Sequence, residues 1–164
     1  MQEPQAIHVR LADYSDAADA AAILQLMQAY ARDPMGGGEA LPQFTLDNLV
    51  ASLDGMPGAF TLLAFEQQEA VGLMNCFTGF STFRCKPLIN IHDVIVVTTR
   101  RGRGIAGRML QQVEAIARQR GCCKLTLEVL QGNLPAQCAY RKAGFAEYVL
   151  DPEAGHALFW EKLL

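Results

Sequence analysis

Two hydrophobic periods run along this chain, and the switches between them mark its elements. Residues 6–11 alternate well enough for a first strand. Ser15 or Asp16 can cap a helix through about residue 31, with Ile23, Leu24, Met27 and Tyr30 spaced along one face. Asp33-Pro34 ends it, because the proline ring pushes the preceding residue out of the helical region. Residues 35–42 hold three glycines in a row and read as a mobile connector, a flexible lid or substrate loop; with no lysine following, they are not a P-loop. Thr45 is placed to cap a short helix over residues 46–53, and residues 54–58 carry turn chemistry. Residues 60–66 and 70–80 predict an antiparallel hairpin, with Phe77, Phe80 and Phe83 at its end as core or cleft wall.

The organising stretch follows. Residues 88–97 are a β-branched apolar run of strand length. After a short polar corner, Arg101-Gly102-Arg103-Gly104-Ile105-Ala106-Gly107 leads into a helix over residues 105–119. Its Ile105, Met109, Leu110, Val113, Ile116 and Ala117 share one face, and Gly121 supplies the stop. A buried strand thus feeds a glycine loop that opens directly into a helix. Backbone N–H groups left free at a helix start, small residues that permit close approach and neighbouring arginines make an anion site, best suited to a pyrophosphate. Arg101 and Arg103 are expected to face phosphate, Arg108 to be a third candidate, and Arg100 and Arg118 to be solvated.

Residues 124–130 predict another strand. Asn133 then caps a short helix with Pro135 in its first turn and Gly144 just past its end. Residues 146–150 and 157–163 are expected as two closing strands around a turn at 151–155, with His156 and Trp160 as fold or dimer residues. The order is β-α-α-β-β-β-α-β-α-β-β, an α+β domain with a mixed sheet whose central β-α-β has a right-handed crossover.

Composition narrows the function classes. One domain spanning residues 1–164 fits the length, and a formal charge of −3 gives no electrostatic case for nucleic acid or an anionic membrane. No apolar run is long enough to span a bilayer, and the Met1-Gln-Glu-Pro start carries no basic-then-apolar leader, so a soluble, cytoplasmic protein is expected. The five cysteines are odd in number with no C-x-x-C spacing. They read as reduced apolar fillers rather than a disulfide framework or a zinc site, and no metal is expected.

Two separated motifs combine: Arg101-x-x-Gly104-x-Ala106 between a strand and a helix, and Asn133-x-x-Ala136-x-x-x-Tyr140-x-Lys142-x-Gly144-Phe145 after the next strand. Together they resemble the GNAT superfamily of acyl-CoA-dependent N-acyltransferases over about residues 90–145. The resemblance implies a mixed, mostly antiparallel sheet flanked by helices, with splayed strands at a central β-α-β cofactor site. It implies acetyl-CoA as co-substrate, its pyrophosphate on the backbone of Arg101, Gly102, Arg103, Gly104, Ile105 and Ala106, and its pantetheine along Val94, Ile95 and Val96. A free N–H from Val94 or Val96 could then polarise the thioester carbonyl. Asn133 is expected near the cofactor arm, and Tyr140 as both cofactor contact and general acid, since a phenol stays protonated at neutral pH and can return a proton to a thiolate. Three features depart from the family pattern: Ala106 for a glycine, a small Ala139 before Tyr140, and Thr98-Thr99-Arg100 at the corner. None removes a phosphate donor.

The implied reaction is direct attack of a primary amine on the thioester with both substrates bound. Freeing an amine of pKa ~10.4 at pH 7 costs about 4–5 kcal/mol, so a base is wanted unless the acceptor's pKa is low. Asp93, His92 and Glu128 are the candidates. Strict alternation puts His92, Val94 and Val96 on one face and Asp93, Ile95 and Val97 on the other. Acidic Asp33, Glu39 and Asp93 favour a small cationic or amino-acid-like acceptor over a protein, and a homodimer fits the family habit. Two rival readings stand beside this one. A catalytically silent acyl-CoA sensor would keep the same fold. Gly102-x-Gly104-x-x-Gly107 also matches the dinucleotide fingerprint of an NAD(P)-dependent oxidoreductase, though it follows the fourth strand and too little chain remains for a parallel sheet.

Overall fold

The computed structural model describes residues 6–151, 153 and 155–164. One sheet carries the fold, in the order β1-β2-β3-β4-β5. Its strands are β1 (Ile7–Leu11), β2 (Ala59–Glu66), β3 (Glu69–Ser81), β4 (Lys86–Val96) and β5 (Leu125–Leu127). The first four pair antiparallel and β5 joins β4 in parallel, so the sheet is mixed and mostly antiparallel as expected.

Among the described residues four α-helices flank it. α1 (Ala17–Arg32) starts at Asp16, whose carboxylate accepts the N–H groups of Ala18 and Asp19, and stops before Pro34. α2 (Gln43–Gly55) begins three residues earlier than the polar pattern predicts. Pro42 rather than Thr45 stands at its N-cap, its fixed φ of −59° entering the helix without a side-chain bond. α3 (Ile105–Gln119) has the predicted bounds, and all six predicted core residues of its face are buried. α4 (Leu134–Lys142) is capped by Asn133, which accepts the Ala136 N–H at 3.3 Å.

Two cores sandwich the sheet. On one face α3 and Tyr140 of α4 pack on Leu62, Met74, Cys76, Ile89 and Ile91; on the other Ile23 and Leu26 of α1 and Leu53 of α2 pack on Leu63, Leu73 and Ile95. Gly72 keeps the centre thin, since a Cβ there would lie 3.0 Å from the Met109 sulfur and 3.2 Å from the Ile95 carbonyl.

Three expectations need correction. Residues 35–42 are not a free connector. The Asp33 carbonyl accepts Gly36, Gly37 and Gly38 N–H groups, Ala31 accepts Glu39, and Gln28 accepts Leu41, which folds the glycines back on α1. The strand at 124–130 shrinks to three residues, because β4 diverges and offers no further ladder partner. Among the described residues the closing strands reduce to a Val149–His156 bridge with the Ala157 N–H on the Tyr148 carbonyl at 3.4 Å, and Trp160 is 82% exposed. Apolar alternation alone does not make a strand without a neighbour to bond. The expected turn at 151–155 includes residues 152 and 154, which, like residues 1–5, lie outside the described residues.

Candidate active site

The site lies where β4 and β5 part. Ile89, Asn90 and Ile91 face Leu125, Thr126 and Leu127, after which β5 ends while β4 runs on to Val96. Val94, Ile95 and Val96 therefore have β3 on one side and, among the described residues, no strand on the other.

Past β4, a 3₁₀ turn (Thr98–Arg100) leads to the glycine loop. Gly102 and Gly104 adopt φ of +76° and +77°, a conformation that costs an L-residue about 1–2 kcal/mol. Gly104 caps α3. Among the described residues no N–H from Gly102 through Gly107 donates a hydrogen bond; the next, Arg108, bonds the Gly104 carbonyl at 3.1 Å. A Cβ on Gly102, Gly104 or Gly107 would meet nothing within 4 Å. Open space above consecutive unpaired donors, at the positive end of a helix, is chemistry suited to diphosphate oxygens.

The loop arginines hold the loop instead of lining it. Arg101 donates from Nε to the Val96 carbonyl at 2.9 Å and pairs with Asp33 at 2.7 Å. Arg100 and Arg103 both bond the buried Glu66 at 2.5 Å, which holds its carboxyl below the usual range. Arg108 turns away to the Ile7 carbonyl at 3.3 Å. The Arg101 and Arg103 side chains, expected to face phosphate, are thus engaged by Asp33 and Glu66. Carboxylates within reach capture the guanidinium groups, and Arg100 is anchored rather than solvated. Arg118 does sit exposed, paired with Glu114 one turn away.

A β-bulge reshapes β4 at the candidate bases. Asn75 faces Asp93 and Cys76 faces Ile91, so His92 is the extra residue. His92 packs edge-on to Phe77, 5.5 Å between ring centres, and so shares the α1/α2 face with Asp93. Strict alternation had put them on opposite faces; the bulge reverses that. Asp93 is half-buried and accepts the Asn75 amide N–H at 2.9 Å. Glu128 is exposed beyond β5, at 3.3 Å from Asn90 Nδ2.

From α4, the Tyr140 ring packs against Phe145 and is only 8% exposed. Every fully enclosed side-chain polar atom among the described residues has a partner. The Tyr140 hydroxyl has no hydrogen-bond partner among the described residues, so it is not fully enclosed. Burial, with Tyr30 adding to it, pushes its pKa up to about 12. Tyr30 projects from the last turn of α1 and is itself raised by burial, then by Asp93 and Asp33. Tyr30 thus stands near enough to both Tyr140 and Asp93 for their charges to be felt. Asn133 spends its side-chain oxygen on capping α4.

Tyr30 and Asn75 were missed from the sequence. Tyr30 fitted the apolar stripe of α1. Asn75 was visible as the one amide inside the apolar run from Val71 to Phe77.

A strand pair that parts beside an open glycine-loop helix start, with a phenol on the next helix, is the site of an acetyltransferase fold. The Acetyltransferase (GNAT) family model matches residues 23–145, and the chain belongs to that family. It is 28% identical over 143 residues to the uncharacterized N-acetyltransferase YhfO of Bacillus subtilis (strain 168), covering 86% of this chain and 91% of that one. It is 38% identical over 79 residues to streptothricin acetyltransferase of Streptomyces lavendulae, covering 43% of this chain and 42% of that relative. A possible acetyltransferase from Clostridium difficile 630 has the same fold, with a TM-score of 0.77 at 17% identity, covering 96% of this chain and 98% of that one.

Proposed function

We propose that the protein transfers the acetyl group of acetyl-CoA to a primary amine of a small cationic molecule, by direct attack with both substrates bound. The observation that carries this reading is the open donor cradle at the start of α3, directly after the β4 edge that no strand covers among the described residues. The loop backbone from Arg101 to Ala106 binds the diphosphate, and pantetheine runs along Val94, Ile95 and Val96, where the outward backbone groups of Val94 and the Val96 N–H face the gap and the Val96 carbonyl is held by Arg101. Asn133 lies at the start of α4, alongside that arm.

Acetyl-CoA supplies an activated thioester; this chain's residues place the amine and move protons. A carbon–nitrogen bond forms as the carbon–sulfur bond breaks. Asp93 takes the amine proton, directly or through water, and Tyr140 gives one to the departing sulfur. A phenol held near 12 is fully protonated at neutral pH, which suits a donor. A backbone N–H of Val94 or Val96 stabilises the developing oxyanion. Glu128, exposed and beyond β5, is the weaker candidate for the base.

The acceptor class rests on charge. Among the described residues Asp93 Oδ1 accepts no hydrogen bond, which leaves it for an ammonium. The partial relative named for streptothricin also favours a small-molecule acceptor. Five free cysteines fit a reducing, cytoplasmic setting.

The test is free-thiol release from acetyl-CoA against a panel of polyamines, aminoglycosides and amino acids. Amine-dependent release with a matching acetylated product supports the reading. Tight acetyl-CoA binding with no amine-dependent release would replace it with a sensor.

A further inference from the structure

We infer that Asn75 is a positioning residue for the amine-side carboxylate: a directed row of hydrogen bonds crosses three strands, from Tyr14 through Thr61 and Asn75, and aims Asp93 at the cleft. This rests on the proposed role of Asp93.

The row follows the sheet's own register. Thr61 on β2 is directly opposite Asn75 on β3, and Asn75 is directly opposite Asp93 on β4. Tyr14, in the segment after β1, reaches Thr61 Oγ1 at 2.9 Å; Thr61 Oγ1 donates to Asn75 Oδ1 at 2.6 Å; Asn75 Nδ2 donates to Asp93 Oδ2 at 2.9 Å. The direction is forced from the carboxylate end. A carboxylate accepts, so Asn75 must turn its amide nitrogen toward Asp93 and its oxygen toward Thr61. Thr61 has a single proton, which goes to Asn75, so Tyr14 donates to Thr61. The second Asn75 amide proton points at the Met27 sulfur, 3.3 Å away on α1.

The placement is costly for a merely structural role. Asn75 is 2% and Thr61 1% exposed, on the face where Leu63, Leu73, Leu26 and Ile23 pack. Apolar side chains there would avoid the desolvation of an amide and a hydroxyl. What the row provides instead is one carboxylate oxygen fixed at a bulge, where backbone geometry alone holds a side chain least firmly, and the other oxygen left open.

The experiment is a double-mutant cycle in the thiol-release assay, with Asn75→Leu, Asp93→Asn and the double variant, reading kcat and KM for the amine and for acetyl-CoA separately. Asn75→Leu should lower kcat/KM for the amine roughly 10- to 100-fold, as a misplaced catalytic group does, with KM for acetyl-CoA within about twofold. In the Asp93→Asn background the same substitution should cost less than about threefold, because the group it positions is already disabled. An equal loss in both backgrounds overturns the inference and leaves Asp93 as base. Parent-like turnover of Asp93→Asn overturns the role of Asp93, and the inference with it. If Asn75→Leu does not fold, Thr61→Val breaks the row one step back and must show the same dependence on Asp93.

Discussion

Asp33 and Arg101 are 68 positions apart in sequence and meet at 2.7 Å, tying the C-cap of α1 to the first residue of the glycine loop. Asp33 also holds the Met35 N–H at 2.9 Å. The neighbouring guanidinium keeps the Asp33 carboxyl below the usual range. One carboxylate thus joins the turn at 35–38 to the loop assigned to the diphosphate.

Arg101→Met removes that tie and the bond to the Val96 carbonyl. Arg101 is largely exposed, so the pair is worth about 0–1 kcal/mol, and the melting temperature should fall by no more than a few degrees. Loop placement should suffer more. KM for acetyl-CoA is expected to rise roughly five- to tenfold, the equivalent of about 1–1.4 kcal/mol, with kcat little changed. Unchanged KM would separate the loop from α1 functionally.

Gly104→Asp distinguishes strain from ligand exclusion. Its Cβ meets nothing within 4 Å, so the free protein bears only the left-handed backbone cost of about 1–2 kcal/mol. The carboxylate would stand at the open helix start and repel a diphosphate. Calorimetric titration should show acetyl-CoA binding lost while the circular-dichroism spectrum is kept. Retained micromolar affinity would contradict the cradle.

Tyr140→Phe should lower kcat about 10²-fold or more and leave KM for acetyl-CoA nearly unchanged. The same variant has an alkaline signature. A folded-state pKa raised to about 12 means the neutral phenol's contribution is complete below pH ~10 and is lost as pH climbs toward 12. Tyr140→Phe should therefore flatten part of the fall in denaturant midpoint over that range. The buried Cys76 thiol, also pushed up to about 12, leaves a residual slope.

At the acid end, Asp19 is 2% exposed, bonded twice by Arg10 at 2.6 Å and once by the Asp13 N–H at 2.8 Å. The Arg10 bonds hold its carboxyl below the usual range. Its contribution is present above the ordinary carboxylate pKa and disappears as pH falls through the lowered one. Asp19→Asn should destabilise by about 2–3 kcal/mol at pH 7 and reduce the loss of stability below pH ~4, measured by urea unfolding.

Much of this protein was legible from spacing. The α3 stripe, the glycine loop, the Asn133 cap and the hairpin of β2 and β3 are local patterns, set by helical period, left-handed glycine geometry and capping, so they needed no knowledge of distant residues. Tyr140 was singled out by the motif that resembles the GNAT family, not by local pattern. The tertiary structure alone decided the rest, because each point depends on which distant groups meet. The bulge that brings His92 to the side of Asp93 is a mismatch between two strands, invisible in either alone. Asp33 and Glu66 engage the side chains of Arg101 and Arg103, expected to face phosphate, and Glu66 also anchors Arg100, expected to be solvated. The apolar stretch at 157–163 has the composition of a strand, yet strands exist only by pairing, and among the described residues no ladder partner reaches it beyond Ala157, which bonds the Tyr148 carbonyl.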